Sequence, residues 1–140
     1  MNFIKNKLLL FICLTFCWAV LWFKPVYAQI ILTGNDHEEG LTIGDGGDNT
    51  ALEVSDNAST TNVTISDGGS ATYSGNSSAT DTTVEGGELK SEETSTLTET
   101  TINGGNITAR GHSKIETLEI NGGFVSLEGA NVEATGISMT

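Results

Sequence analysis

Beyond residue 28 this chain contains no cysteine, no tryptophan and no proline, and its aromatic residues there are Tyr73 and Phe124 alone. Basic residues are almost as scarce: Lys90, Arg110 and Lys114 stand against all 18 acidic residues of the sequence, a net charge of −15 for that stretch. Each shortage excludes something. Without cysteine no disulfide can form, even in an oxidising compartment. A surface this acidic repels nucleic acid and anionic membranes, so neither is expected as a partner. The plain reading of the charge is solubility, with cation binding as the alternative. Few aromatics and abundant Thr, Ser, Gly, Asn and Glu are also a composition of disorder, but isoleucine, valine and leucine recur here at regular positions, which a disordered linker has no reason to do.

The first 28 residues are different. Lys5 and Lys7 precede an uncharged, mostly apolar run of 16 residues, Leu8 to Phe23, followed by Lys24, Pro25 and Val26-Tyr27-Ala28. The run is shorter than the roughly 20 residues of a membrane span. Val at −3 and Ala at −1 predict a signal peptide helix over 1–28, cleaved after Ala28, with an uncleaved anchor as the alternative. Cys13 and Cys17 follow the bulky residues Ile12 and Phe16, which argues against lipid attachment. Residues 29–40 read as an acidic leader or cap, and residues 41–140 as repeats.

The repeats are marked by glycine pairs. Gly68-Gly69, Gly86-Gly87, Gly104-Gly105 and Gly122-Gly123 lie 18 residues apart, and Gly46-Gly47 lies 22 residues before the first of them. A fixed period in this range indicates a solenoid, each repeat being one coil. Val84, Ile102 and Ile120 stand two residues before a pair, Leu89, Ile107 and Val125 two residues after one. Leu97 and Ile115 take a third position, with Val132 one residue early, and five residues further on the first position recurs at Ile102, Ile120 and Ile137. Local alternation, as in Ala71 with Tyr73 and Leu118 with Ile120, is the strand signature.

Each unit therefore reads as three short strands separated by turns, in an all-β, parallel β-helix of about five coils of 18–22 residues. The inward positions step by 5, 8 and 5, an unequal triangle that favours the right-handed form over three equal hexapeptides. The glycines suit corners that need positive φ or close approach. Threonines such as Thr82-Thr83 and Thr100-Thr101 are expected in ladders beside the aliphatic column. A lone coil cannot offset the entropy of ordering its backbone, so stability is expected to be cooperative along the stack.

The units TTVEGGELKSEETSTLTE (82–99), TTINGGNITARGHSKIET (100–117) and LEINGGFVSLEGANVEAT (118–135) resemble the AIDA-type repeats of autotransporter adhesin passengers. The resemblance covers about residues 60 to 137 and implies a right-handed β-helix at the surface of a Gram-negative cell or released from it. It marks an architecture and no activity. No translocator barrel accompanies the repeats, and Ile137 opens a further coil with no glycine pair or polar cap after it. The chain thus reads as the N-terminal piece of a longer passenger or a truncated frame, ending mid-coil and prone to self-association through its strand edges.

Chemistry-bearing residues are sparse. His37 sits in Asp36-His37-Glu38-Glu39 without metal-ligand spacing, and His112 follows a turn glycine with no partner at a fixed distance. Asp45-Gly46-Gly47-Asp48-Asn49 has Asn49 where the iterated calcium repeat needs glycine. Four Asn-x-Ser/Thr tripeptides, beginning at Asn57, Asn62, Asn76 and Asn106, are explained by composition. No catalytic, cofactor-binding or metal residue is nominated, and an enzyme is not expected. The expected function is an exported, non-catalytic stalk or adhesive surface, on the cell surface or extracellular, or periplasmic without a translocator. Its partner would be a host-cell glycan or protein receptor. The alternatives are a stand-alone secreted glycan- or cation-binding module, or a non-functional remnant.

Overall fold

The structure is a computed structural model that describes residues 28–46, 49–129 and 131–140. The expected signal peptide lies outside the described residues except for Ala28. The first coil holds β1 (Ala28–Leu32), β2 (His37–Glu39) and β3 (Thr42–Ile43). The second holds β4 (Asn49–Val54) and β5 (Ser59–Ile65), and the third β6 (Ser70–Tyr73) and β7 (Ser78–Val84). The fourth holds β8 (Glu88–Ser91) and β9 (Thr96–Ile102), and the fifth β10 (Asn106–Arg110) and β11 (Lys114–Ile120). The last holds β12 (Phe124–Glu128) and β13 (Glu133–Met139).

Every strand pairs in parallel with its equivalents in the neighbouring coils. One sheet runs β1-β4-β6-β8-β10-β12, the other β13-β11-β9-β7-β5-β2, with β3 also on β5. The described residues contain no helix and form a parallel β-solenoid of about six turns. Leu89 pairs with Ile107 and Ile107 with Val125, which reproduces the 18-residue period; Ile43 pairs with Ile65, which accounts for the longer first interval. The solenoid starts earlier than the glycine pairs suggest. Residues 29–40, read above as leader or cap, already carry most of β1, on β4, and all of β2, on β5.

The coil has three faces but two kinds of strand. The seven-residue strands β5, β7, β9 and β11 bend at their fourth residue, where Asn62, Asp81, Glu99 and Thr117 take φ of 57°, 57°, 55° and 59°. Pairing passes over this residue and resumes beyond it. The expected third turn is therefore a single left-handed residue within a continuous strand. Asn and Asp adopt this conformation most readily; in Thr117, which is β-branched, it stores strain.

The expected columns exist. Val84, Ile102, Leu89, Ile107, Leu97 and Ile115 are fully buried, while Ile120 and Val125, nearer the end of the stack, are partly buried against them. The last coil is shifted, because one extra residue enters its turn. Ala134, not Val132, pairs with Ile115, and Ile137 pairs with Leu118, so Met139 takes the rank of Ile102 and Ile120. Threonines also sit differently from expectation. Thr82 and Thr100 face inward and are buried, in the rank of Val63 and Leu118; Thr83 and Thr101 form the outer ladder.

Layer volumes are balanced. The third coil carries Tyr73, the bulkiest buried side chain, and its other inward residues include Ala71, Ser77 and Ala79. The Tyr73 and Thr60 hydroxyls are 2.7 Å apart in the core, a hydrogen bond that satisfies both. Burial pushes the Tyr73 phenol up to about 12, against the smaller lowering effect of the Thr60 contact. The neutral phenol therefore contributes stability in full below pH 10, its ordinary value, and this is lost as pH rises towards about 12. Two pKa units correspond to about 2.7 kcal/mol. Alkaline unfolding is expected to coincide with tyrosinate absorbance in that window, and Tyr73→Phe should remove the steepness while leaving the Thr60 hydroxyl unpaired.

Candidate functional site

The feature that recurs on every coil is the glycine corner, where the two sheets meet. Its stacking is close. The carbonyl of Gly87 accepts from Asn106 N at 2.9 Å and that of Gly105 from Phe124 N at 2.9 Å. A Cβ on Gly104 would lie 2.5 Å from the carbonyl oxygen of Glu85, and one on Gly122 would lie 2.7 Å from that of Asn103. Positive φ matters at fewer positions, among them Gly105 at 75°. The pairs recur mainly because backbone passes directly over backbone.

Shallow hollows lie along the glycine corner. One hollow of about 430 Å³ is lined by Gly68, Gly69, Gly86 and Gly87 together with Ser70, Glu88 and Asn106. A neighbouring hollow of about 210 Å³ is lined by Asp45, Ser66, Asp67 and Glu85. The residue before the glycine pair is an acid at the first three corners (Asp45, Asp67, Glu85) and an amide at the next two (Asn103, Asn121). Asn121 donates from Nδ2 to Oδ1 of Asn103 at 3.0 Å, and Thr140 donates its hydroxyl to Oδ1 of Asn121 at 2.5 Å. The lower carboxylates can accept hydrogen bonds from a hydroxyl-bearing ligand. Stacked carboxylates about 4.8 Å apart repel one another and attract cations.

The residues weighed in the sequence are dispersed. His37 lies on β2 with Nδ1 2.8 Å from Ser59 Oγ. His112 lies in a turn four coils away, where its backbone N–H donates to the Glu93 carbonyl at 2.6 Å. Asp36 accepts from the backbone N–H of Thr33 at 3.1 Å, a turn-closing role. Asp45 is itself in the left-handed region, φ 55°, and its N–H donates to the Asp67 carbonyl; Gly47 and Asp48 lie outside the described residues. Among the described residues, no three His, Cys, Asp or Glu side chains converge as a metal site.

The three basic residues past the leader are engaged with acids. Arg110 Nε donates to Glu128 at 2.8 Å, and that hydrogen bond holds the Glu128 carboxyl below its ordinary pKa. Lys114 lies 2.5 Å from Glu116, which raises the lysine's pKa, and Lys90 lies 2.9 Å from Glu88. These pairs are exposed and organise charge along the rod more than they stabilise it.

One group of polar residues was not anticipated. Ser77, Ser95 and Ser113 form a buried rank at the second turn. Ser95 Oγ donates to the Glu92 carbonyl and lies 2.8 Å from Ser91 Oγ. Among the described residues, the hydroxyls of Ser77, Thr82, Thr100 and Ser113 have no hydrogen-bond partner. Serine in a turn is ordinarily read as exposed, so the sequence carried no signal for this rank. No family model matches the chain, and no curated protein and no solved structure matches it.

Proposed function

We propose that the chain is an exported, non-catalytic β-solenoid of the autotransporter-passenger type, serving as a stalk or adhesive surface. The observation that supports this reading most is the division of labour within each coil. The inner side is spent on packing and the outer side on short polar residues such as Thr64, Thr83 and Thr101 in register. Added coils lengthen the rod and extend its surface without enclosing a catalytic pocket. The likeness of the units 82–99, 100–117 and 118–135 to AIDA-type repeats and the leader-like N-terminus point the same way.

The full sequence, expressed in a Gram-negative host, should yield an exported product whose first residue is Gln29. Beads coated with it should be retained by host epithelial cells if the surface is adhesive. A product beginning at Met1 and confined to the cytosol would sink the export reading. The hollow lined by Asp45, Ser66, Asp67 and Glu85 favours a second reading, a secreted module that binds a glycan or a cation. That reading requires saturable heat on titration with calcium or an oligosaccharide, which a stalk does not show.

A further inference from the structure

The rod is acidic on most of its surface, but one face is not. From the third coil to the last, the outer side of the sheet β6-β8-β10-β12 carries Glu88, Lys90, Arg110 and Glu128, and each charge is paired within the face. Over the same coils the outer side of the other sheet carries Asp81, Glu99, Glu116, Glu119 and Glu133 against Lys114 alone. A neutral face on a molecule of this charge is complementary to an uncharged ligand. The surrounding acids repel an anion, and they draw a cation to themselves instead.

The same face carries an exposed aromatic ring. Tyr73 is fully buried, whereas Phe124 is 64% exposed. Phe124 stands in one rank with Asn106, Glu88 and Ser70, each one coil from the next. It alternates with the inward Val125, so the pleat of its strand turns the ring away from the interior. This rank faces outward within the stack as well: Asn106, with a coil on either side, is exposed. Beside the rank lies the hollow of about 430 Å³, where Ser70, Glu88 and Asn106 meet the glycine pairs of two corners.

We propose that this face binds an uncharged linear oligosaccharide lying along the rod, with one sugar ring on Phe124 and its neighbours on Asn106, Glu88 and Ser70. A pyranose ring has an apolar face of C–H bonds, which packs flat on an aromatic ring. Its rim of hydroxyls both donates and accepts, which matches an Asn amide, a carboxylate and a serine hydroxyl. Coils about 4.8 Å apart repeat at close to the length of one sugar ring, so successive sugars each meet one side chain of the rank. Glycine backbone beside the rank lets the ligand approach closely. The inference rests on the glycan half of the second reading above and gives it a site outside the acidic hollow.

An array of immobilised oligosaccharides, probed with the labelled full chain, tests it. Neutral linear probes (cellohexaose, maltohexaose and chitohexaose) should include at least one that retains the chain, and sulfated or uronic oligosaccharides should not retain it. Calorimetry with the best-retained probe should give saturable heat that added salt leaves unchanged. Phe124→Ala should weaken binding about tenfold or more with the circular dichroism unchanged, and Asn106→Ala should weaken it less. Ile31→Ala, at an exposed site on the same sheet, and Asp67→Asn, in the acidic hollow, should leave binding intact. Retention that survives Phe124→Ala and Asn106→Ala overturns this site while the glycan reading stands. Preference for the anionic probes overturns the site equally. No retention by any oligosaccharide overturns both the site and the glycan reading.

Discussion

Replacing Ile102 by aspartate abolishes the cooperative unfolding transition. Ile102 is wholly buried, in register with Val84 on one side and Ile120 on the other. The substitution removes an aliphatic side chain, a loss of about 2–5 kcal/mol when truncated to alanine, and places a carboxylate where no cation reaches. Burying that group costs several kcal/mol more, or forces it to take up a proton. The sum rivals the 5–15 kcal/mol that holds an ordinary small domain together. Because Ile102 lies mid-stack, the break separates coils that stabilise each other. The adjacent Thr101 points outward opposite Glu119, so Thr101→Asp should cost no more than about 1 kcal/mol, through like-charge repulsion. Partial recovery of the Ile102→Asp variant at low pH should accompany protonation of the new carboxyl. Thermal melts followed by circular dichroism decide the matter: equal transitions for the two variants would refute the inward assignment of this rank.

The second large effect separates two reasons for glycine. Gly68 and Gly105 have nearly the same φ, 77° and 75°. A Cβ on Gly68 meets nothing within 4 Å, whereas one on Gly105 collides with the carbonyl oxygen of Gly87, the acceptor for Asn106 N. Gly68→Ala therefore carries only the conformational cost of the left-handed region, about 1–2 kcal/mol. Gly105→Ala carries the same cost and must also push two coils apart, for roughly 3–5 kcal/mol in total. Urea midpoints at unchanged slope would read the difference. Equal losses at the two sites would show that the coils are not in contact at this corner.

The unequal spacing of the aliphatics in the sequence now has a structural cause for each step. From Val84 to Leu89 the chain rounds the glycine corner. From Leu89 to Leu97 it crosses a four-residue turn and adds Ser91 and Ser95 to the interior. From Leu97 to Ile102 it passes the bend at Glu99 and adds Thr100. The aliphatic residues were legible because they have one favourable place. Serine and threonine were not, since a short hydroxyl side chain suits either face of a pleated strand. Nor was the bend, because Glu99 and Thr117 are poor left-handed residues and signal nothing locally. The first coil was missed because Gly34 and Gly40, its turn residues, stand singly. For the candidate site, the sequence showed Asp45, Asp67 and Glu85 before glycine pairs, but not that stacking brings them, with Ser66, around one hollow.

Residue order alone specifies the repeat length, the all-β class and most of the aliphatic column, since periodicity in a stacked coil is written directly into it. Folding in three dimensions settled that residues 28–43 form a coil of the solenoid and which hydroxyls turn inward. Those properties depend on register between residues 18 to 22 positions apart, and a register is a relation between coils that no single coil contains.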